Sequence, residues 1–221
     1  MKIAIIGAGH IGQALARLGS AAGHEVRISN SRGPETLVEL AREIGAEPRT
    51  VQEAAPDADV CIVTVPFTSV TAIDPAPFVG RVLVDTNNYY PTRDGRIAEL
   101  DEHRTTTSEM VQRHFSGARV VKAFNAILAT DLVPPFGLPG ARRALPVAGD
   151  DADAVATVTG LHHDFGLDAV AAGSLAESWR FERAKPSYCV PLDAAALRDA
   201  LDAAERDVEL PHNSWHRAGT V

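Results

Sequence analysis

Cysteine is scarce in this chain. Cys61 and Cys189 are far apart and stand in no metal-binding or redox spacing, which excludes a disulfide framework and makes a reducing cytoplasm the expected setting. Cys61 also lies inside an apolar run and reads as a core residue. Positive charge is in deficit. With 21 Lys and Arg against 29 Asp and Glu, the formal charge is −8, which argues against nucleic acid or an anionic membrane as the main partner. An anionic cofactor is still allowed, because a phosphate site needs only local donors. No apolar run is long enough to span a bilayer. The first strand candidate begins within two residues of the N-terminus, so no signal peptide is expected. Internal repeats and low-complexity segments are missing. So are a Gly-x-Ser-x-Gly elbow, a Cys–His arrangement and the Tyr-x-x-x-Lys pairing of short-chain dehydrogenases. What remains is a globular chain of 221 residues with 45% apolar content, enough for one sizeable core.

Against that background the first residues stand out. Lys2-Ile3-Ala4-Ile5-Ile6 is short, apolar and rich in β-branched residues, the pattern of a buried parallel strand. Gly7-Ala8-Gly9-His10-Ile11-Gly12 follows, and then Ile11, Leu15, Leu18 and Ala22 at helical spacing. Strand, glycine turn and helix together are the context in which G-x-G-x-x-G signals dinucleotide binding. Gly7 permits the tight turn, Gly9 lets backbone approach a pyrophosphate, and Gly12 allows close packing of helix on strand. The helix start at His10 and Ile11 then offers N–H groups and a positive dipole end to phosphate. No Gly-Lys-Ser/Thr follows, so a γ-phosphate site is disfavoured.

The second strand, His24 to Ile28, ends in Ser29-Asn30-Ser31-Arg32-Gly33. A carboxylate is expected here when a ribose 2′-hydroxyl is bound. Asn30, Ser31 and Arg32 instead supply donors and a cation suited to a 2′-phosphate, which implies NADP(H). The competing reading has Ser31 capping the next helix and Arg32 as a solvated charge. Further on, helix is expected over 34–44, a weak strand near 47–50 and a short helix over 51–55. Strands are expected over 60–65, 81–85 and 118–124. Pro66 closes the first of these, which puts Val65, Pro66 and Phe67 at the carboxyl edge of the sheet, where ligands bind. Phe67 is either a neighbour of the nicotinamide or adenine or a simply packed core residue. Thr86-Asn87-Asn88-Tyr89-Tyr90-Pro91 and Asn125 likewise fall at strand ends. Their readings are a polar, aromatic ligand loop or Asn-stabilised turns.

Thr106-Thr107-Ser108 reads as a helix cap before 109–115, and 131–140 as a Pro- and Gly-rich loop. A strand over 144–149 contains Pro146, which suggests an edge or a bulge. A helix through His162, a short strand over 167–171 and helices over 175–184 and 193–206 complete the chain. His162-His163 reads as helix surface and core edge. His212 and His216 stand four apart, but Pro211, Asn213 and Gly219 argue against a helix, and no third ligand completes a metal site. The reading is therefore an α/β chain with a Rossmann-type, doubly wound, mainly parallel sheet. Residues 1–150 form an NADP(H)-binding domain, and residues 151–221 a small C-terminal region completing the substrate pocket.

Several of these segments occur in one order: Ile3 to Gly12, Asn30-Ser31-Arg32-Gly33-Pro34-Glu35, Val84-Asp85-Thr86-Asn87, Val121-Lys122-Ala123-Phe124-Asn125 and Ala148-Gly149-Asp150-Asp151. In them the chain resembles the NADPH-dependent coenzyme F420 reductase family, and it is similar to the reductase domains of the STEAP metalloreductases. The resemblance implies hydride transfer between NADP(H) and a deazaflavin, coenzyme F420, as second substrate. It implies that Pro66, Asn87 and Asn125 line the ribose–nicotinamide end. Ser29-Asn30 ahead of Ser31-Arg32, and Glu177, Trp179 and Arg180, depart from the archaeal members. Other acceptors, namely a flavin, ferric iron, an imine or a carbonyl, are the alternatives, and a non-catalytic NADP(H) sensor is the rival from another class. The expected partners are small molecules, in a cytoplasmic protein compatible with a homodimer.

Overall fold

The computed structural model describes residues 1–211, so the expectations for His212, His216 and the final residues lie outside the described residues. The strands are β1 (Lys2–Ile6), β2 (Glu25–Ser29), β3 (Glu47–Pro48), β4 (Val60–Val63), β5 (Val82–Asp85), β6 (Arg119–Lys122), β7 (Ala144–Gly149) and β8 (Asp168–Ala171). The helices are α1 (His10–Ala21), α2 (Val38–Ile44), α3 (Val51–Ala54), α4 (Pro91–Asp94), α5 (Ala98–Asp101), α6 (Thr107–His114), α7 (Ala152–Asp164) and α8 (Ala194–Asp202). One sheet runs β3-β2-β1-β4-β5-β6-β7-β8. From β3 to β6 every pairing is parallel; β7 runs antiparallel to β6, and β8 parallel to β7. The order grows outward from β1 in both directions, so the point where it reverses lies between β1 and β4. This is the doubly wound Rossmann arrangement.

Alternation along the strands makes two cores, because successive side chains in a strand face opposite ways. Ile3, Ile5, Ile62 and Val84 face one layer, with Leu15 of α1 and Val158 and Leu161 of α7. Ala4, Ile6, Cys61, Val63 and Leu83 face the other, with Val111 of α6 and Phe115. Burial of each larger apolar side chain contributes about 1.5–3 kcal/mol. Cys61 is a core residue, and burial pushes its thiol up to about 12. Thr106 caps α6 in a reciprocal box: its hydroxyl accepts from the Glu109 N–H, and its own N–H donates to the Glu109 carboxylate at 2.8 Å. No helix among the described residues is long and apolar enough to cross a membrane.

Three local differences from the expected pattern have physical reasons. Pro146 sits in β7, which has a neighbour on each side, yet β6 pairs only with Ala148 and Gly149. The proline therefore lies where β7 is locally an edge, and its missing N–H removes no bond to β6. Residues 175–181 form a 3-10 helix, Leu175–Phe181, instead of an α-helix. His162 is not at a core edge: it is fully buried, and its ring stacks on Phe124 at 4.0 Å. Its Nδ1 bonds the Val158 carbonyl at 2.8 Å.

At the carboxyl end of the sheet two charges are buried together. Lys122 Nζ lies 3.1 Å from Asp85 Oδ2, and both side chains are 0% exposed. Lys122 also donates to Thr107 Oγ1 at 2.8 Å and to the Asn87 carbonyl. Asp85 accepts from Ser108 Oγ at 2.6 Å and from the Asn87 N–H at 2.9 Å. Every partner is needed, because a charge in a dry interior is tolerated only when paired and hydrogen-bonded.

Two predictions follow from these buried groups. Asp85→Ala leaves Lys122 with only the more distant Glu182 carboxylate, 4.0 Å away, as counter-charge, and lowers unfolding stability by about 3 kcal/mol, measurable by urea titration. Burial pushes His162 down to about 4 from 6.5, so between those values the unfolded chain takes up a proton that the folded chain refuses. Stability is therefore lost as pH falls through this window, and a His162→Leu variant loses that part of the pH dependence.

Candidate dinucleotide cleft

The cleft begins where β1 stops. Gly7 has φ +116°, and a Cβ there would lie 2.7 Å from Thr64 Oγ1. Its N–H donates to the Ser29 carbonyl at 3.0 Å, tying the ends of β1 and β2 together. A Cβ on Gly12 would lie 2.0 Å from the Gly7 carbonyl oxygen, so α1 packs backbone to backbone on the turn. Gly9 is different: nothing lies within 4 Å of where its Cβ would be. It caps α1 without any side-chain bond, which leaves the first N–H groups of the helix open. His10 is exposed and Ile11 half-buried in that first turn.

These residues open into a cleft of about 800 Å³. Its floor is made by the ends of three adjacent strands: Ile6 to Gly9, Ser29 to Gly33, and Thr64 to Pro66. Thr50 to Gln52 and Ser69 with Ala72 to Asp74 form the walls. The charged side chains lining it are Arg32 and Asp74.

The turn after β2 is built by Asn30. Its Oδ1 accepts from the Arg32 N–H at 2.9 Å, and its Nδ2 donates to Thr36 Oγ1 at 2.9 Å. Thr36 in turn donates to the Gly33 carbonyl at 2.8 Å. Asn30 is therefore engaged in shaping the turn, an Asx turn in type. Ser29 is fully buried and bonds the Ile5 carbonyl at 3.3 Å. Ser31 does not cap the following 3-10 helix, Pro34–Leu37, whose N-cap is Gly33 with no side-chain cap bond. Ser31 and Arg32 are exposed, and the Arg32 guanidinium makes no hydrogen bond or ion pair among the described residues. A cation and a hydroxyl thus stand unclaimed beside a bare helix start. This donor set fits a dinucleotide with a third phosphate.

The remaining predicted residues divide. Val65 and Pro66 line the cleft, whereas Phe67 is buried in the core beneath them, in the cluster with Val70 and Phe78. Asn87 is buried, and its side chain donates to Asp85 Oδ1 at 2.8 Å. Asn125 Nδ2 donates to Asn88 Oδ1 at 3.0 Å and to the Phe181 carbonyl at 2.9 Å; Asn88 Nδ2 donates back to the Asn125 carbonyl at 3.0 Å. These amides bridge the loops after β5 and β6, the next strands along from the cleft. Asn125 Oδ1 is buried with no hydrogen-bond donor among the described residues. Sequence reasoning missed Thr64, whose hydroxyl donates to the Gly7 carbonyl at 2.8 Å, and the Asp85–Lys122 pair. The pair had left a signal: a charged residue ends each of two strands directly after an apolar run, Val82-Leu83-Val84 and Val120-Val121.

Residues 2–89 match the family described as NADP oxidoreductase, coenzyme F420-dependent. The Sinorhizobium meliloti hypothetical protein SMa0349 is 32% identical with a TM-score of 0.76, over 87% of this chain and 95% of that one. An Arthrobacter sp. FB24 protein assigned as an F420-dependent NADP reductase is 27% identical with a TM-score of 0.69, over 79% of this chain and 86% of that one. The chain belongs to the F420-dependent NADP oxidoreductase family. It is also similar to the rat metalloreductase STEAP3, at 29% identity over 197 residues, 86% of this chain. It spans 38% of that protein's length. For a member of this NADP-dependent oxidoreductase family, the glycine turn and the donors after β2 belong to one cleft.

Two glycine variants separate packing from ligand approach. Gly12→Ala drives a methyl into the Gly7 carbonyl and lowers stability by about 1–3 kcal/mol along with dinucleotide affinity. Gly9→Ala meets open space, so its thermal midpoint stays at the wild-type value while NADPH affinity, read by fluorescence titration, falls.

Proposed function

We propose that this chain transfers a hydride between NADP(H) and coenzyme F420, a deazaflavin. The observation that carries the reading is the unclaimed Ser31 and Arg32 pair, contiguous with the uncapped start of α1 in a chain of this family. On this reading Gly7, Gly9 and Gly12, with the N–H groups at His10 and Ile11, receive the pyrophosphate. Asn30 shapes the turn from which Ser31 and Arg32 hold the 2′-phosphate. Val65 and Pro66 flank the bound dinucleotide, supported from below by Phe67, and Asn87 and Asn125 fix the loops at the ribose–nicotinamide end. Residues 1–150 bind the dinucleotide, and the region from 151 onward completes the acceptor side, a protein of the cytoplasm compatible with a homodimer.

The bound NADPH supplies the hydride; the chain's own contribution is to position the two rings and exclude water, which accounts for most of the effect in such reactions. This agrees with a cleft whose site residues are glycines, amides and a proline. The similarity to the rat metalloreductase favours ferric iron as the second reading of the acceptor.

Purified protein with NADPH is expected to bleach the deazaflavin absorbance of F420. Tight NADPH binding without turnover of F420 contradicts the assignment, and turnover of a ferric chelate under the same conditions selects the second reading. Arg32→Ala removes a charge-assisted phosphate contact, so NADPH affinity falls about ten- to hundredfold while NADH affinity is unchanged.

A further inference from the structure

A cavity of about 150 Å³ lies apart from the dinucleotide cleft and shares no lining residue with it. Three parts of the chain enclose it: the loop after β5, the stretch 100–105 at and after the end of α5, and the C-terminal region at 179–185 and 206–209. Hydrogen bonds fix these parts to one another. Arg183 donates to the Tyr89 carbonyl at 3.3 Å and to Glu209 at 2.6 Å. Lys185 Nζ donates to the carbonyls of Glu205, Arg206 and Val208 at 2.7, 2.8 and 2.8 Å. The cavity is therefore a space between anchored segments.

The charged groups that line it are matched, with one exception. Asp101 accepts from the Tyr89 hydroxyl at 3.0 Å and pairs with Arg96 at 3.0 Å. Glu182 accepts from the Thr107 N–H and hydroxyl, Glu209 is taken by Arg183, and Lys185 by its three carbonyls. His103 faces Asp207 at 3.8 Å. Arg206 differs. Its guanidinium has no hydrogen bond or ion pair among the described residues, and its Nε is buried without an acceptor. A guanidinium offers five N–H donors in a planar fork and accepts nothing. What the cavity lacks is an acceptor, and a carboxylate matches the fork through two parallel bonds. A phosphate would fit the fork too, but the three carboxylates in the lining weigh against its higher charge.

Size and surface narrow the ligand further. Pro91, Leu100 and Trp179 give the cavity apolar wall. Lys185 Nζ and Arg206 Cζ stand 5.6 and 5.8 Å from the Trp179 ring centroid, within the range of cation–π attraction, so aromatic wall and cation adjoin. These cations beside the indole disfavour a positively charged ligand. A volume of this size accepts one six-membered ring. We propose that the cavity is a second binding site, for a planar ring carboxylate of the size of benzoate, with Arg206 holding the carboxylate and Trp179 walling the ring. The site stands apart from the hydride-transfer reading, since it needs neither the dinucleotide nor the hydride acceptor.

Calorimetric titration of the full chain with benzoate tests this. One benzoate binds per chain, and saturating NADPH does not displace it. Benzamide keeps the ring without the charge, and acetate keeps the charge without the ring; each binds at least about tenfold more weakly. Arg206→Gln weakens benzoate by about tenfold or more while the thermal midpoint without ligand stays at the wild-type value, and Arg206→Lys, which keeps the charge but not the fork, restores only part of the affinity. Absence of benzoate binding at millimolar concentration overturns the proposal. So does benzamide binding as tightly as benzoate, a comparison made on the wild-type chain that needs no variant to fold. Unchanged affinity in Arg206→Gln overturns it as well, and displacement by NADPH does so by placing the benzoate in the dinucleotide cleft. A chain that binds benzoate through Arg206 but no NADPH supports this site and overturns the cofactor reading alone.

Discussion

The rest of the site depends on one backbone contact, the approach of Gly12 in α1 to the carbonyl of Gly7. A methyl at Gly12 would stand 2.0 Å from that oxygen, so no other residue allows the helix to sit where it does. The contact aims the uncapped start of α1 at the space beyond β1. It also leaves the Gly7 carbonyl to the Thr64 hydroxyl and the Gly7 N–H to the Ser29 carbonyl. Three strand ends are joined through one residue, and the cleft is the volume they surround. An anion there meets fixed N–H groups instead of water.

A second constraint governs the other half of the sheet edge. Asp85 and Lys122 are both dry, and their bonds reach Asn87, Thr107 and Ser108. Glu182, from the C-terminal region, accepts from Thr107 Oγ1 at 2.6 Å and so joins the same network. Such a pair contributes little net stability compared with apolar replacements, but breaking it is costly. It therefore holds the loops after β5 and β6 in one arrangement.

Much of this was legible because spacing and composition carry it. The run Lys2 to Ile6, the glycines after it and the helical periodicity beyond predict β1, the turn and α1; Val60 to Val63 is a strand as its apolar run requires, and the helix cap expected at Thr106-Thr107-Ser108 falls on Thr106. What spacing does not carry is the partner of each polar group. Asn30, read as a phosphate ligand, is engaged in holding the turn from which Arg32 projects. Phe67 was balanced between ligand and core, and only the direction of its side chain puts it among Val70 and Phe78. His162 looked peripheral because helix periodicity does not show that Phe124, from a distant strand end, stacks against it. The 3-10 course of 175–181 was hidden for the same reason, since its contacts are tertiary.

The central claim is that the turn after β2 and the start of α1 form one site for a dinucleotide bearing a 2′-phosphate. Calorimetric titration of the protein with adenosine 2′,5′-bisphosphate and with adenosine 5′-diphosphate tests this without the nicotinamide. The account predicts that the 2′-phosphorylated nucleotide binds tighter by about tenfold or more, competes with NADPH, and weakens as salt is raised. Equal affinity for the two nucleotides, or binding that NADPH does not displace, would contradict it.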